Sequence, residues 1–174
     1  MDETRNTTNT DSAGGDEARF FHDVDALLAA DAMALLDLTA KRTKHGKRVI
    51  ATIFKRPTVS HDDCALATKR IQEVLASHGD DPDAYTITVS SPGLSRILRT
   101  EREYALFTDV PVTVMLNELG ATAFGADTIT GMNRKYADGA ATLDVDNGAR
   151  TVTVAGTMIR AMKLSYELNS DDKE

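Results

Sequence analysis

Between Phe20 and Val89 the spacing of apolar residues switches from helical to alternating, back to helical, and to alternating again. Phe20, Phe21, Val24, Leu27 and Leu28 recur every three or four residues, the face of a helix expected to run from Asp16 to about Asp31. Leu36, Leu38 and Ala40 then alternate with Asp37, Thr39 and Lys41, which is the period of a half-buried strand. A turn at TKHGK is followed by Val49, Ala51 and Ile53 in the same alternation, so residues 33–55 predict a β-hairpin, closed by Pro57. Ser60 with Asp63 three residues on is a capping-box start, and Cys64, Ala67, Ile71, Val74 and Leu75 mark the buried face of a second helix. Gly79 and Pro82 end it before a third strand carrying Tyr85, Ile87 and Val89. This order is sufficient for a small α+β domain with two helices covering one face of a three-stranded sheet.

The second half reads differently. Val110, Val112, Val114 and Leu116 alternate strictly, and FGADTITG, AATLDV, TVTV and Met162 to Glu167 follow as further short strands. DNG at 146–148 is a hairpin-turn signal. Five short strands with tight turns predict a small all-β barrel. The expected organisation is a disordered acidic tail over 1–15, an α+β domain over 16–95, a barrel domain with a short leading helix over 96–168, and a second disordered tail over 169–174.

Composition narrows the function classes. The net charge of -7 argues against a uniformly basic nucleic-acid coat but leaves local patches open. A single Cys64 forms no internal disulfide and suits a reducing cytoplasm. No apolar run reaches transmembrane length, and the acidic, polar start lacks the pattern of a secretory signal, so a cytoplasmic protein with no membrane partner is expected, as a monomer.

Catalysis is weakly signalled. A nucleophile elbow needs glycine on both sides of the serine, whereas Val89, Ser90 and Pro92 flank the serines of VSSPG, and His22, His45, His61 and His78 lie in different elements. His61, Asp62, Asp63 and Cys64 point about 100 degrees apart around a helix and do not converge on one metal ion. Neither a GxGxxG nor a GxxxxGK[ST] loop occurs, and no cofactor is expected.

Charge is more informative when resolved along the chain. Lys41, Arg42, Lys44, Lys47, Arg48, Lys55 and Arg56 lie between 41 and 56 without one Asp or Glu. The first five cluster on the hairpin tip, where cations can follow phosphates; a solvated edge kept soluble by lysines is the competing reading. Arg96, Arg99 and Arg102 form a second cluster. In a helix over 99–107, Arg99 and Arg102 share a face and can bind phosphate or carboxylate, while Arg96 also fits an interdomain clamp to acids of the neighbouring domain.

The stretch DPDAYTITVSSPGLSRILRTEREY, preceded by VSHDDCALATKRI, closely resembles the RimP family of ribosome maturation factors, and the likeness extends from about Met33 to Tyr166. The family pattern of Ser-Ser-Pro-Gly-Leu, Arg, Leu-Arg-Thr-Glu-Arg and an acidic-aromatic pair is matched at Ser90, Ser91, Pro92, Gly93, Leu94, Arg96, Leu98 to Arg102, Glu103 and Tyr104. It departs at Ser95, Ile97 and Phe54, where Asp, Pro and Asp are usual. The resemblance implies that the C-terminal barrel is SH3-like, or Sm-like. It also implies a non-enzymatic factor that binds the immature small ribosomal subunit and promotes its assembly, in part by engaging small-subunit ribosomal protein twelve. Arg96, Arg99 and Arg102 become candidates for subunit binding, and Lys41, Arg42, Lys44, Lys47 and Arg48 for rRNA. Ser90 to Leu94 are expected to form an interdomain joint, Pro92 fixing φ and Gly93 opening conformations closed to other residues. A general RNA-binding module acting through the basic hairpin and a serine hydrolase remain the alternatives.

Overall fold

The structure, a computed structural model, describes residues 11–44 and 46–166 of 174, with the backbone alone described for 11–14. It divides into two compact units between Pro92 and Gly93. The first contains helix α1 (Asp11–Ala30), strands β1 (Ala34–Thr43) and β2 (Gly46–Phe54), helix α2 (His61–Ser77) and strand β3 (Tyr85–Ser90). Helix, strand, strand, helix, strand is the order that the periodicity predicts.

β1 and β2 pair antiparallel, while β2 and β3 pair parallel because α2 carries the chain back to the start of the sheet. Leu28, Val24, Leu35, Val49, Ala51, Ile53, Ala67 and Ile71 are fully buried in one core between the helices and the sheet. The alternation of β1 is interrupted where the sequence shows it continuous. Leu35 pairs with Ile53 and Asp37 with Thr52, so Leu36 is the extra residue of a β-bulge, and Leu35, Leu38 and Ala40 share the inner face. Two leucines in succession hide such a slip, because either satisfies the pattern.

α2 starts in the capping box expected at Ser60 and Asp63. It stops when the Asp80 N–H donates to the Leu75 carbonyl and the Gly79 N–H to that of Ala76, with Gly79 at φ +81°. α1 begins at Asp11, inside the expected tail. Once Phe20, Val24 and Leu28 are packed, added helical residues need no new nucleus. The rest of that tail, residues 1–10, and the tail expected at 169–174 lie outside the described residues.

The second unit holds β4 (Ile97–Leu98), α3 (Glu101–Leu106), β5 (Val110–Leu116), α4 (Glu118–Phe124), β6 (Thr128–Ala137), β7 (Ala140–Val145), β8 (Arg150–Ala155) and β9 (Ile159–Leu164). Its strands form one sheet in the order β4-β9-β5-β6-β7-β8. Val112, Val114, Leu143, Val154 and Met162 are fully buried, one face of each strand turned to a common core.

Two expectations shift here. FGADTITG is not wholly strand: Asn117 accepts the Gly120 N–H at 3.0 Å and opens α4, Gly125 at φ +69° closes it, and β6 starts at Thr128. The last strand covers 159–164 rather than 162–167, because pairing with β5 sets Leu164 opposite Val112 and Met162 opposite Val114. DNG makes the turn between β7 and β8, with Asn147 at φ 55° and Gly148 at φ 85°. Among the described residues, no helix is long and apolar enough to cross a membrane.

Candidate functional site

The cations of the hairpin separate into two sets once β1 and β2 pair. Arg42 opposes Lys47 on the inner side, and Lys41 opposes Arg48 on the outer side. Lys47 Nζ donates to Asp80 Oδ1 at 2.5 Å and lies 4.7 Å from the centroid of the Tyr85 ring. The Asp80 hydrogen bond is the main cause that raises the Lys47 pKa, and the same bond lowers that of Asp80. Lys47 therefore pins the hairpin to the loop after α2. Lys55 is likewise held by Asp63. Lys41, Arg42, Lys44 and Arg48 are exposed, and they make the tip a cationic surface suited to phosphate.

The arginine cluster has a different organisation. α3 begins at Glu101 behind its cap Thr100, so Arg99 precedes the helix, and the helical spacing expected to align it with Arg102 does not apply. The cause is the second capping box of the chain. Thr100 Oγ1 accepts the Glu103 N–H at 3.2 Å, and Glu103 Oε2 accepts the Thr100 N–H at 3.3 Å and the Arg99 N–H at 2.9 Å. Arg96 Nε donates to the other carboxylate oxygen at 2.9 Å, and its Nη2 donates to the same atom. The pair is well buried, with side chains only 16% and 10% exposed. Glu103, the acid of this pair, lies in the same unit as Arg96. The Arg96 carbonyl accepts the Leu164 N–H at 3.0 Å, tying the segment to the end of β9. Arg99 and Arg102 carry their side chains on the exposed surface.

At the other end of α3 a residue the sequence reading passed over is decisive. Asn133 is fully buried in β6, and its Nδ2 donates to the Tyr104 carbonyl at 2.9 Å and the Phe107 carbonyl at 2.6 Å. Those are the unpaired carbonyls of a helix end, satisfied from a strand some thirty residues on. A polar residue amid MNRKY carries no local signal of this.

Ser90 to Leu94 span the boundary between the units. Ser90 is exposed at the end of β3, opposite Thr52 of β2. Gly93 does not adopt a positive φ, and a Cβ there meets nothing within 4 Å. The turn is made instead by the Arg96 N–H donating to the Gly93 carbonyl at 3.1 Å, so the expected use of glycine's conformational freedom is not what bends this segment. Among the described residues, no His, Cys, Asp and Glu side chains gather in a group of three or more able to hold a metal ion.

Residues 24–95 match the family model of the RimP N-terminal domain. The matched segment begins in α1, contains the whole sheet of the first unit, and ends just past Pro92 and Gly93. This match makes residues 24–95 a RimP N-terminal domain and supports a place for the chain in the RimP family of ribosome maturation factors.

Proposed function

We propose that the chain binds the immature small ribosomal subunit and promotes its assembly without catalysing a covalent step, with small-subunit ribosomal protein twelve among the surfaces it engages. The observation that carries this reading is the RimP N-terminal domain at residues 24–95, continued by the family-like segment LSRILRTEREY. Charge supports the partners. A net charge of -7 complements basic ribosomal proteins, while the exposed cations at the hairpin tip suit rRNA. In this reading the second unit is an SH3-like (Sm-like) barrel, Arg99 and Arg102 contact the subunit, and Arg96 acts by holding their segment through Glu103.

The test is sedimentation of tagged chain in a lysate through a sucrose gradient. Co-migration with free small subunits, and absence from whole ribosomes, is the expected result. A chain that stays at the top of the gradient at low salt overturns stable subunit binding. It would return the protein to the reading of a general RNA-binding module.

A further inference from the structure

We propose that the face of the N-terminal sheet turned away from α1 and α2 is a seat for a short single strand of RNA. The strand register defines this face. Lys41, Arg48 and Thr86 form one row across the three strands, and Thr39, Ile50 and Thr88 form the next. The opposite face is spent on the core, where Ala40, Val49 and Ile87 or Leu38, Ala51 and Val89 occupy the corresponding rows.

A merely solvated sheet face favours long charged side chains at its centre. Here the centre is Ile50, 45% exposed and flanked on both sides by threonines. Farther along β2 the same face carries Phe54, with the Arg56 guanidinium 5.8 Å from its ring centroid. From Arg48 to Phe54 the strand advances about 20 Å, long enough for a few nucleotides laid along it. Cations stand at both ends of this track, and the strip between them is apolar and hydroxyl-bearing apart from Asp37, which shares the row of Thr52 and Ser90.

That sequence of chemistry fits an unpaired polynucleotide. Phosphates meet the cations, bases rest on Ile50 and Phe54, and threonine hydroxyls reach base edges or the 2′-OH. A duplex presents its phosphates and sugars but keeps its bases stacked away from such a strip. A basic ribosomal protein is repelled by the same cations that attract RNA. The identification of this RNA as rRNA rests on the assembly-factor reading, but the binding property itself does not.

The experiment is fluorescence anisotropy with the full chain, a labelled short single-stranded RNA and its duplex, between about 50 and 200 mM salt. The single strand is expected to bind and the duplex to bind more weakly. Lys41→Ala with Arg48→Ala is expected to reduce the slope of log affinity against log salt by about 1.4, two phosphate contacts at about 0.7 each. Ile50→Glu is expected to weaken binding about tenfold or more by placing a negative charge at the centre of the strip. Thr88→Glu makes the same test from β3, at an exposed position, if the first variant does not fold.

No single-strand binding at the lowest salt overturns the proposal, as does a duplex bound equally well. Loss of binding on removing the cations alone, with both Glu variants unaffected, locates the contact at the hairpin tip and also overturns it. So does loss of binding to small-subunit protein in the Glu variants with RNA affinity unchanged. Subunit co-sedimentation, run in parallel, separates the two readings: RNA binding without it removes the assembly role, and the converse removes only this seat.

Discussion

Two helices, one in each unit, begin with the same device and depend on it to different degrees. In α2 the Ser60 hydroxyl accepts the Asp63 N–H, the Asp63 carboxylate accepts the Ser60 N–H at 2.9 Å, and Lys55 adds a cation. In α3 Thr100 and Glu103 repeat the exchange and Arg96 supplies the cation. Lysine brings a compact charge to one oxygen, whereas Arg96 brings two donors and the Arg99 N–H closes the other side of Glu103. The helices themselves explain why this matters. α2 has 17 residues and an apolar face of its own, buried through Ala67, Ile71, Val74 and Leu75. α3 has six, too few to persist alone, so Glu103 at its start and Asn133 at its end set its position.

The sharpest way to break this comparison is Glu103→Ala. It leaves a buried guanidinium and two backbone donors without the carboxylate, and is expected to cost about 3–5 kcal/mol. Urea denaturation followed by near-ultraviolet dichroism of the tyrosines measures it, and Asp63→Ala is expected to move the midpoint less. Equal losses would show that the length of the helix is immaterial.

Asn133→Ala comes next, at about 2–3 kcal/mol, since two buried carbonyls lose their donor. Gly79→Ala at the end of α2 is expected to cost about 1–2 kcal/mol from the positive φ alone, because nothing crowds a Cβ there. Finding the second variant more damaging than the first would reverse the view that α3 is the helix pinned by its neighbours. Arg96→Lys is expected to cost only about 1 kcal/mol, as one charge is kept and the paired donors are lost.

The last expected effect concerns Asp63 and appears only at acid pH. The Lys55 hydrogen bond, followed by those from Ser60, lowers its pKa from 3.8 to about 2. A carboxyl depressed in the folded state contributes stability that is fully present above its unfolded pKa and is lost as pH falls through about 2. Between pH 4 and pH 2 the urea midpoint of the parent chain is therefore expected to fall more steeply than that of Asp63→Asn. Parallel curves would remove the capping carboxylate from the acid response.

The first unit was readable because its signals are local. Apolar spacing marks each helix and strand, and Ser60 with Asp63 marks a helix start three residues apart. The bulge at Leu36, helix α4 and the end of β9 were not readable. Each follows from how one strand fits another or from a cap on an otherwise ambiguous run. The candidate site divides in the same way. Cation clusters at 41–48 and 96–102 are visible in the chain, but which cations are occupied is not.

The chain alone thus determined the order of elements in the first unit, the positions of both cation clusters and the family-like motif. Tertiary structure decided which charges are engaged and which face outward. Asp80 takes Lys47 and Asp63 takes Lys55, so acids absent from the 41–56 window arrive from beyond it, while Glu103, seven residues along the chain, takes Arg96. The same pairing of strands turns Ile50 outward while Val49 and Ala51 beside it are fully buried. Alternation says that neighbours face opposite ways, but the side that becomes the core depends on where α1 and α2 pack.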